Sequence, residues 1–170
     1  MNPLVPVPAV AAVLALLLPA PAEARNADGR PSEQACSAAR ALLALKLHAE
    51  PDPRQTKIEA DAPSSPVLSS DEMWSDGWFG ERPPIALVKL AKREHARGLS
   101  KCQLGGIALR DTGSVSVGIS VPVLDASGRR AVFLYRRTLS IFPGSHLDIV
   151  YAVRDGSGWR EVGRRPVSVS

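Results

Sequence analysis

Ser114-Val115-Ser116-Val117-Gly118-Ile119-Ser120-Val121-Pro122-Val123 places valine or isoleucine at every odd position and serine, glycine or proline at every even one. Successive side chains of a strand point to opposite faces, so this alternation predicts a strand with one buried face and one small, polar face. Pro122 has no N–H to donate to a ladder, which puts this strand at an edge or at a bulge. Asp125-Ala126-Ser127-Gly128 follows with turn chemistry. A second strand then runs from Ala131 to Ile141. Ala131, Phe133, Tyr135, Leu139 and Ile141 share one face, and Val132, Leu134, Arg136, Thr138 and Ser140 share the other. Both faces are apolar around Phe133, which marks this strand as the centre of the sheet.

Working outward, Pro143-Gly144-Ser145 breaks the chain, and Leu147, Ile149, Tyr151 and Val153 resume the period of two as a third strand. Asp155-Gly156-Ser157-Gly158 is a hairpin signal, after which Trp159 to Val162 begins a fourth. An antiparallel meander of about four strands is therefore expected over residues 114–162.

Upstream, two helices are predicted to pack on that meander. The first spans about Glu33 to Leu47, with Ser32 as N-cap and Cys36, Ala39, Leu43 and Leu47 as its buried stripe. The second is opened by Pro83-Pro84 and closed by Gly98, with Leu87, Leu90 and Ala91 facing inward. Between them, residues 50–82 form an irregular loop rich in proline and serine, with a short strand over Gln55 to Ala60. The fold class is α+β, as a single domain over residues 25–170.

Residues 1–24 read as a cleaved signal peptide. Ala9 to Leu18 is an apolar run, and Ala22-Glu23-Ala24 has the small-x-small pattern of a cleavage site, although no Lys or Arg precedes the run. Ten apolar residues are too few to span a bilayer, so no transmembrane segment is expected once the signal is removed. A periplasmic or secreted location follows. The two cysteines, Cys36 and Cys102, allow a single pairing in an oxidising compartment, and neither sits in a metal-ligand spacing.

The formal net charge is +4 and unevenly spread. Residues 25–96 carry ten basic and eleven acidic side chains, whereas residues 97–170 carry eleven and five. Arginines of the sheet half, Arg136, Arg154 and Arg160 among them, are candidates for an exposed face that attracts an anionic surface or another envelope protein. That exposure assumes both helices cover the Phe133 face. Aromatic residues are not interleaved among these arginines, which argues against nucleic acid. Trp74, Trp78 and Phe79 lie close together in the irregular loop. They either present an aromatic contact surface or fold back to cap the core, and burial is the commoner fate of loop aromatics.

Catalytic and metal chemistry is poorly represented. His48, His95 and His146 are scattered without zinc-site spacing, and Gly144-Ser145-His146 is not a nucleophile elbow. Gly105-Gly106 is not a phosphate loop, and Asp71, Glu72 and Asp76 lack the ligand pattern of a calcium loop. No cofactor, metal or catalytic residue is assigned.

Ser120-Val121-Pro122-Val123-Leu124-Asp125, Arg130-Ala131-Val132-Phe133, Ile149-Val150-Tyr151-Ala152-Val153-Arg154 and Gly158-Trp159-Arg160 resemble small exported bacterial proteins of unassigned function. A helix followed by a meander ending in Gly-Trp is also similar to cystatin-like and NTF2-like α+β domains. That resemblance covers the last third of the chain and implies a fold, with no catalytic residue carried over. Two functions remain open. One is a non-enzymatic exported envelope protein acting as a binding or interaction module. The other is a small NTF2-like enzyme or small-molecule carrier with a pocket between helix and sheet. A pocket lined by two or more of Tyr135, His146, Asp148 and Tyr151 favours the second.

Overall fold

The computed structural model describes residues 30–59, 66–96, 102, 104, 114–139 and 144–169. The predicted signal peptide, Gly98 and Gly105-Gly106 lie outside these residues. Three helices, α1 (Glu33–His48), α2 (Glu72–Ser75) and α3 (Ile85–Ala96), accompany seven strands: β1 (Thr56–Ile58), β2 (Phe79–Gly80), β3 (Val115–Ile119), β4 (Val123–Leu124), β5 (Arg130–Leu139), β6 (Ser145–Asp155) and β7 (Gly158–Val169). The class is α+β, and the sheet is larger than four strands. Its order is β1-β3-β5-β6-β7-β2, with β4 also pairing β5. All pairings are antiparallel except β1 with β3, so the sheet is mixed.

β5 lies inside the sheet, as its two apolar faces require, and both faces are covered. α1 packs on the side of Val117, Ile119, Ala131, Phe133, Val150 and Ala152 through Ala38, Leu42 and Leu43. α3 and Trp74 of α2 pack on the opposite side, against Val123, Val132, Leu134, Ile149, Tyr151 and Val167. This corrects the expectation of two helices on one face. A sheet centre apolar on both sides needs cover on both, or Val132, Leu134 and Ile149 stay in water.

Local chemistry fixes the elements. Ser32 Oγ accepts a hydrogen bond from the Ala35 N–H at 3.1 Å, capping α1. The buried stripe of α1 is Ala35, Ala38, Ala39, Leu42, Leu43 and Lys46, turned from the expected one so that Cys36 and Leu47 sit at its margin. Cys36 is bonded to Cys102, with Cα atoms 5.3 Å apart. Leu104 packs on the α1 core, so the chain after α3 returns to the side of α1.

Pro122 marks a break, not an edge. β3 is flanked by β1 and β5, and the ladder is interrupted at Ser120. Ser120, fully buried, donates its N–H to the Leu134 carbonyl at 2.9 Å, and its Oγ accepts from the Leu134 N–H at 2.8 Å. A side-chain oxygen thus replaces the missing backbone acceptor.

β2 closes the other edge through close backbone contact. Gly80 pairs with Gly163 and has φ of 84°, and a Cβ on Gly163 would lie 1.9 Å from the Glu81 carbonyl oxygen. Only glycine fits there.

Candidate functional site

The C-terminal half of α1 does not meet β6, β7 and β2 flush. Between them lies an open cavity of about 980 Å³, whose walls include Lys46, Glu50, Tyr135, Asp148, Glu161 and Arg164. Sheet register builds it. Tyr135 on β5 stands opposite Asp148 on β6, and Arg137 opposite His146, so period-two alternation sends all four to the α1 face. Tyr135, Asp148 and His146 are thereby brought together. Tyr151 falls on the opposite face, in the core beneath α3.

The side chains form a chain of alternating charge. The Tyr135 hydroxyl donates to Glu50 Oε1 at 2.9 Å, and Arg137 Nε donates to both Glu50 oxygens at 3.1 and 3.0 Å. Lys46, buried, places its ammonium 4.6 Å from the Tyr135 ring centroid and donates to Glu161. Glu161 also faces Arg164 Nε at 3.1 Å, and Arg164 Nη1 reaches to 3.8 Å from Asp148. Burial, reinforced by Glu50, pushes the Tyr135 hydroxyl well above its usual range. Burial likewise raises the Asp148 carboxyl, opposed by Arg164 and Lys46. Tyr135 is therefore a donor with its proton committed to Glu50, and unsuited to act as a base near neutral pH.

A second open cavity, of about 660 Å³, runs along the flank of α1 toward the β4–β5 and β6–β7 turns. Leu45 and Trp159 line both cavities. Trp159 is half-buried and packs on the α1 core.

The six residues expected to form a partner surface are dispersed. Trp74 is buried, its Nε1 donating to the Leu68 carbonyl at 2.9 Å, and its ring centroid is 6.5 Å from that of half-buried Trp78. Phe79 is 69% exposed at the groove's outer wall. Arg136 is half-buried and paired with Glu59, Nε to Oε2 at 2.7 Å. Arg154 belongs to the α1 face and lines the smaller cavity, whereas Arg160, in register with Val153 and 3.9 Å from Asp155, lines the larger one. With helices on both faces, the assumption that exposed Arg136 together with Arg154 and Arg160 no longer holds.

Lys46, Glu50 and Glu161 were not singled out by the sequence, and Arg164 only as one of the sheet-half arginines expected on an exposed basic face. One signal was available, since Lys46 follows Ala35, Ala39 and Leu42 along the buried stripe, and a lysine there needs a partner. Among the described residues no group of three His, Cys, Asp or Glu is placed to hold a metal ion. Nor is any described helix long and apolar enough to cross a membrane. Compared with known proteins, the chain matches no family model, no curated protein and no solved structure.

Proposed function

We propose that this protein is an exported, non-enzymatic binding module that takes up a small organic molecule in the groove between α1 and the sheet. The observation that carries this reading is the cavity of about 980 Å³ lined by Tyr135, His146 and Asp148. Its size suits a small molecule, and its polar groups are already held in place by one another. Export is supported by the apolar run from Ala9 to Leu18 before Ala22-Glu23-Ala24 and by the Cys36–Cys102 bond, which suits an oxidising compartment.

Binding is favoured over catalysis because the Tyr135 hydroxyl and the carboxylates of Glu50, Asp148 and Glu161 are engaged with neighbouring side chains. The Tyr135 proton is held by Glu50, and the Asp148, Glu161, Lys46 and Arg164 charges are mutually compensated. A reading in which the tryptophan loop binds another envelope protein draws less support, because Trp74 lies in the core.

The test is native mass spectrometry of the mature protein taken from its own compartment, followed by a thermal-shift screen of small organic molecules. Wild type is expected to carry or bind a ligand at one equivalent, and Leu45→Trp, which fills the junction of the two cavities, to lose it. A wild type that binds nothing, or a Leu45→Trp variant that binds equally well, refutes the proposal.

A further inference from the structure

The cations around α1 are not equivalent. In the larger cavity Lys46, Arg137 and Arg164 each face a carboxylate: Glu161, Glu50, and Asp148 with Glu161. In the smaller cavity the cations are Arg40 from α1 and Arg154 from β6. Among the described residues, neither guanidinium makes an ion pair or a side-chain hydrogen bond, and Arg40 is half-buried. Glu33, two turns before Arg40 on α1, lines the same cavity but is exposed and, among the described residues, forms no ion pair with either arginine. A half-buried guanidinium facing a cavity whose carboxylate, Glu33, is not paired with it is poised for an anion from outside, since its fork of donors fits planar and tetrahedral oxyanions alike.

Trp159 gives the same cavity an apolar wall. It stands directly opposite Arg154 across the β6–β7 ladder, with about 5 Å between Cβ atoms, so the indole and the guanidinium present a flat surface beside a charge. One end of the cavity is closed by the turn at Gly128, whose positive φ and missing Cβ let it pack against the Gln34 amide.

We propose that this cavity is the anion subsite of the groove, where Arg40 and Arg154 clamp the acidic group of an organic anion while its flat apolar body lies on Trp159 and extends past Leu45 into the larger cavity. The proposal rests on the binding function above and specifies the ligand class as a small organic acid. A neutral molecule of the same shape leaves both guanidiniums unanswered.

Two fluorescent probes of nearly equal shape test this. 8-Anilinonaphthalene-1-sulfonate carries the anionic group and N-phenyl-1-naphthylamine lacks it. Wild type is expected to bind both saturably, at one site, with preference for the sulfonate. Arg40→Gln with Arg154→Gln is expected to weaken the sulfonate roughly tenfold or more while leaving the neutral probe unchanged. Trp159→Leu is expected to weaken both probes. Circular dichroism confirms that each variant is folded, and Arg154→Gln alone, at an exposed position, gives a second measurement with a smaller loss in the same direction. Saturable binding of both probes with an unchanged preference in the arginine variants overturns the anion subsite and leaves the groove standing. Failure of wild type to bind either probe overturns both.

Discussion

Replacing both cysteines, Cys36→Ala with Cys102→Ala, removes a cross-link between residues 66 apart in sequence. In the chain-entropy treatment a closed loop of that length lowers the entropy of the unfolded chain by about 15 cal/mol/K, or about 4.3 kcal/mol at 25 °C. The native side of the balance changes little. α1 keeps its contacts through Ala38, Leu42 and Leu43, and Leu104 still packs on the same core. The expected loss is therefore about 4 kcal/mol, which for a domain of this size lowers the melting temperature by roughly 10–15 °C. Urea unfolding of the mature oxidised protein and the double variant, followed by circular dichroism, measures it through the shift in midpoint. A loss below about 1 kcal/mol with an unchanged denaturant slope contradicts the reasoning, because the bond would then not restrict the unfolded ensemble as its span requires.

Three further outcomes follow from local structure. Ser120→Ala leaves the buried Leu134 N–H without its acceptor, with an expected cost of about 1–3 kcal/mol in chemical unfolding; Ser120→Thr, which keeps the hydroxyl, costs less if the methyl fits. Gly163→Ala drives a Cβ into the Glu81 carbonyl, so β2 must separate from β7; a loss of about 1–3 kcal/mol and faster amide exchange at Gly80 and Glu81 are expected, and unchanged exchange would show that the strand adjusts. His95 is held neutral by burial, its pKa lowered to about 4. Its unfolded form takes up a proton first as pH falls, so stability is expected to drop between about pH 6.5 and pH 4, and His95→Gln to flatten that part of the profile. A parallel slope in the variant excludes this histidine as the source.

Helices α1 and α3, the turn at Asp125 and the order of the long strands were legible in the sequence, because each carries a cap, a period or a turn signal extending over many residues. Two of the short elements were not. β2 and α2 are two and four residues long, too brief to show a period, and they lie within the stretch that reads as an irregular loop, whereas β1, Thr56–Ile58, falls within the short strand expected over Gln55 to Ala60. The parallel pairing of β1 with β3 joins residues nearly sixty positions apart and leaves no local trace. The two-sided cover was implied by Val132 and Leu134 alternating with Phe133 and Tyr135, yet which helix takes which face is decided by the path of the chain between them. For the site, Tyr135, His146 and Asp148 converge because the β5–β6 register and the period of two are both readable. Their partners Lys46, Glu50, Glu161 and Arg164 come from α1, its C-terminal end and β7, whose approach only tertiary packing determines.

Where a bound molecule sits is the most direct test of the groove, and amide chemical-shift mapping of the mature, isotope-labelled protein titrated with 8-anilinonaphthalene-1-sulfonate measures it. The predicted perturbations cluster at Arg40 to Glu50, Tyr135 to Arg137, His146 to Asp148, and Arg154 with Trp159 to Arg164, with Trp159 Nε1 among the largest. Shifts confined to Trp74, Leu87 and the rest of the α3 side, or no saturable shift at all, contradict the assignment of the groove beneath α1 as the binding site.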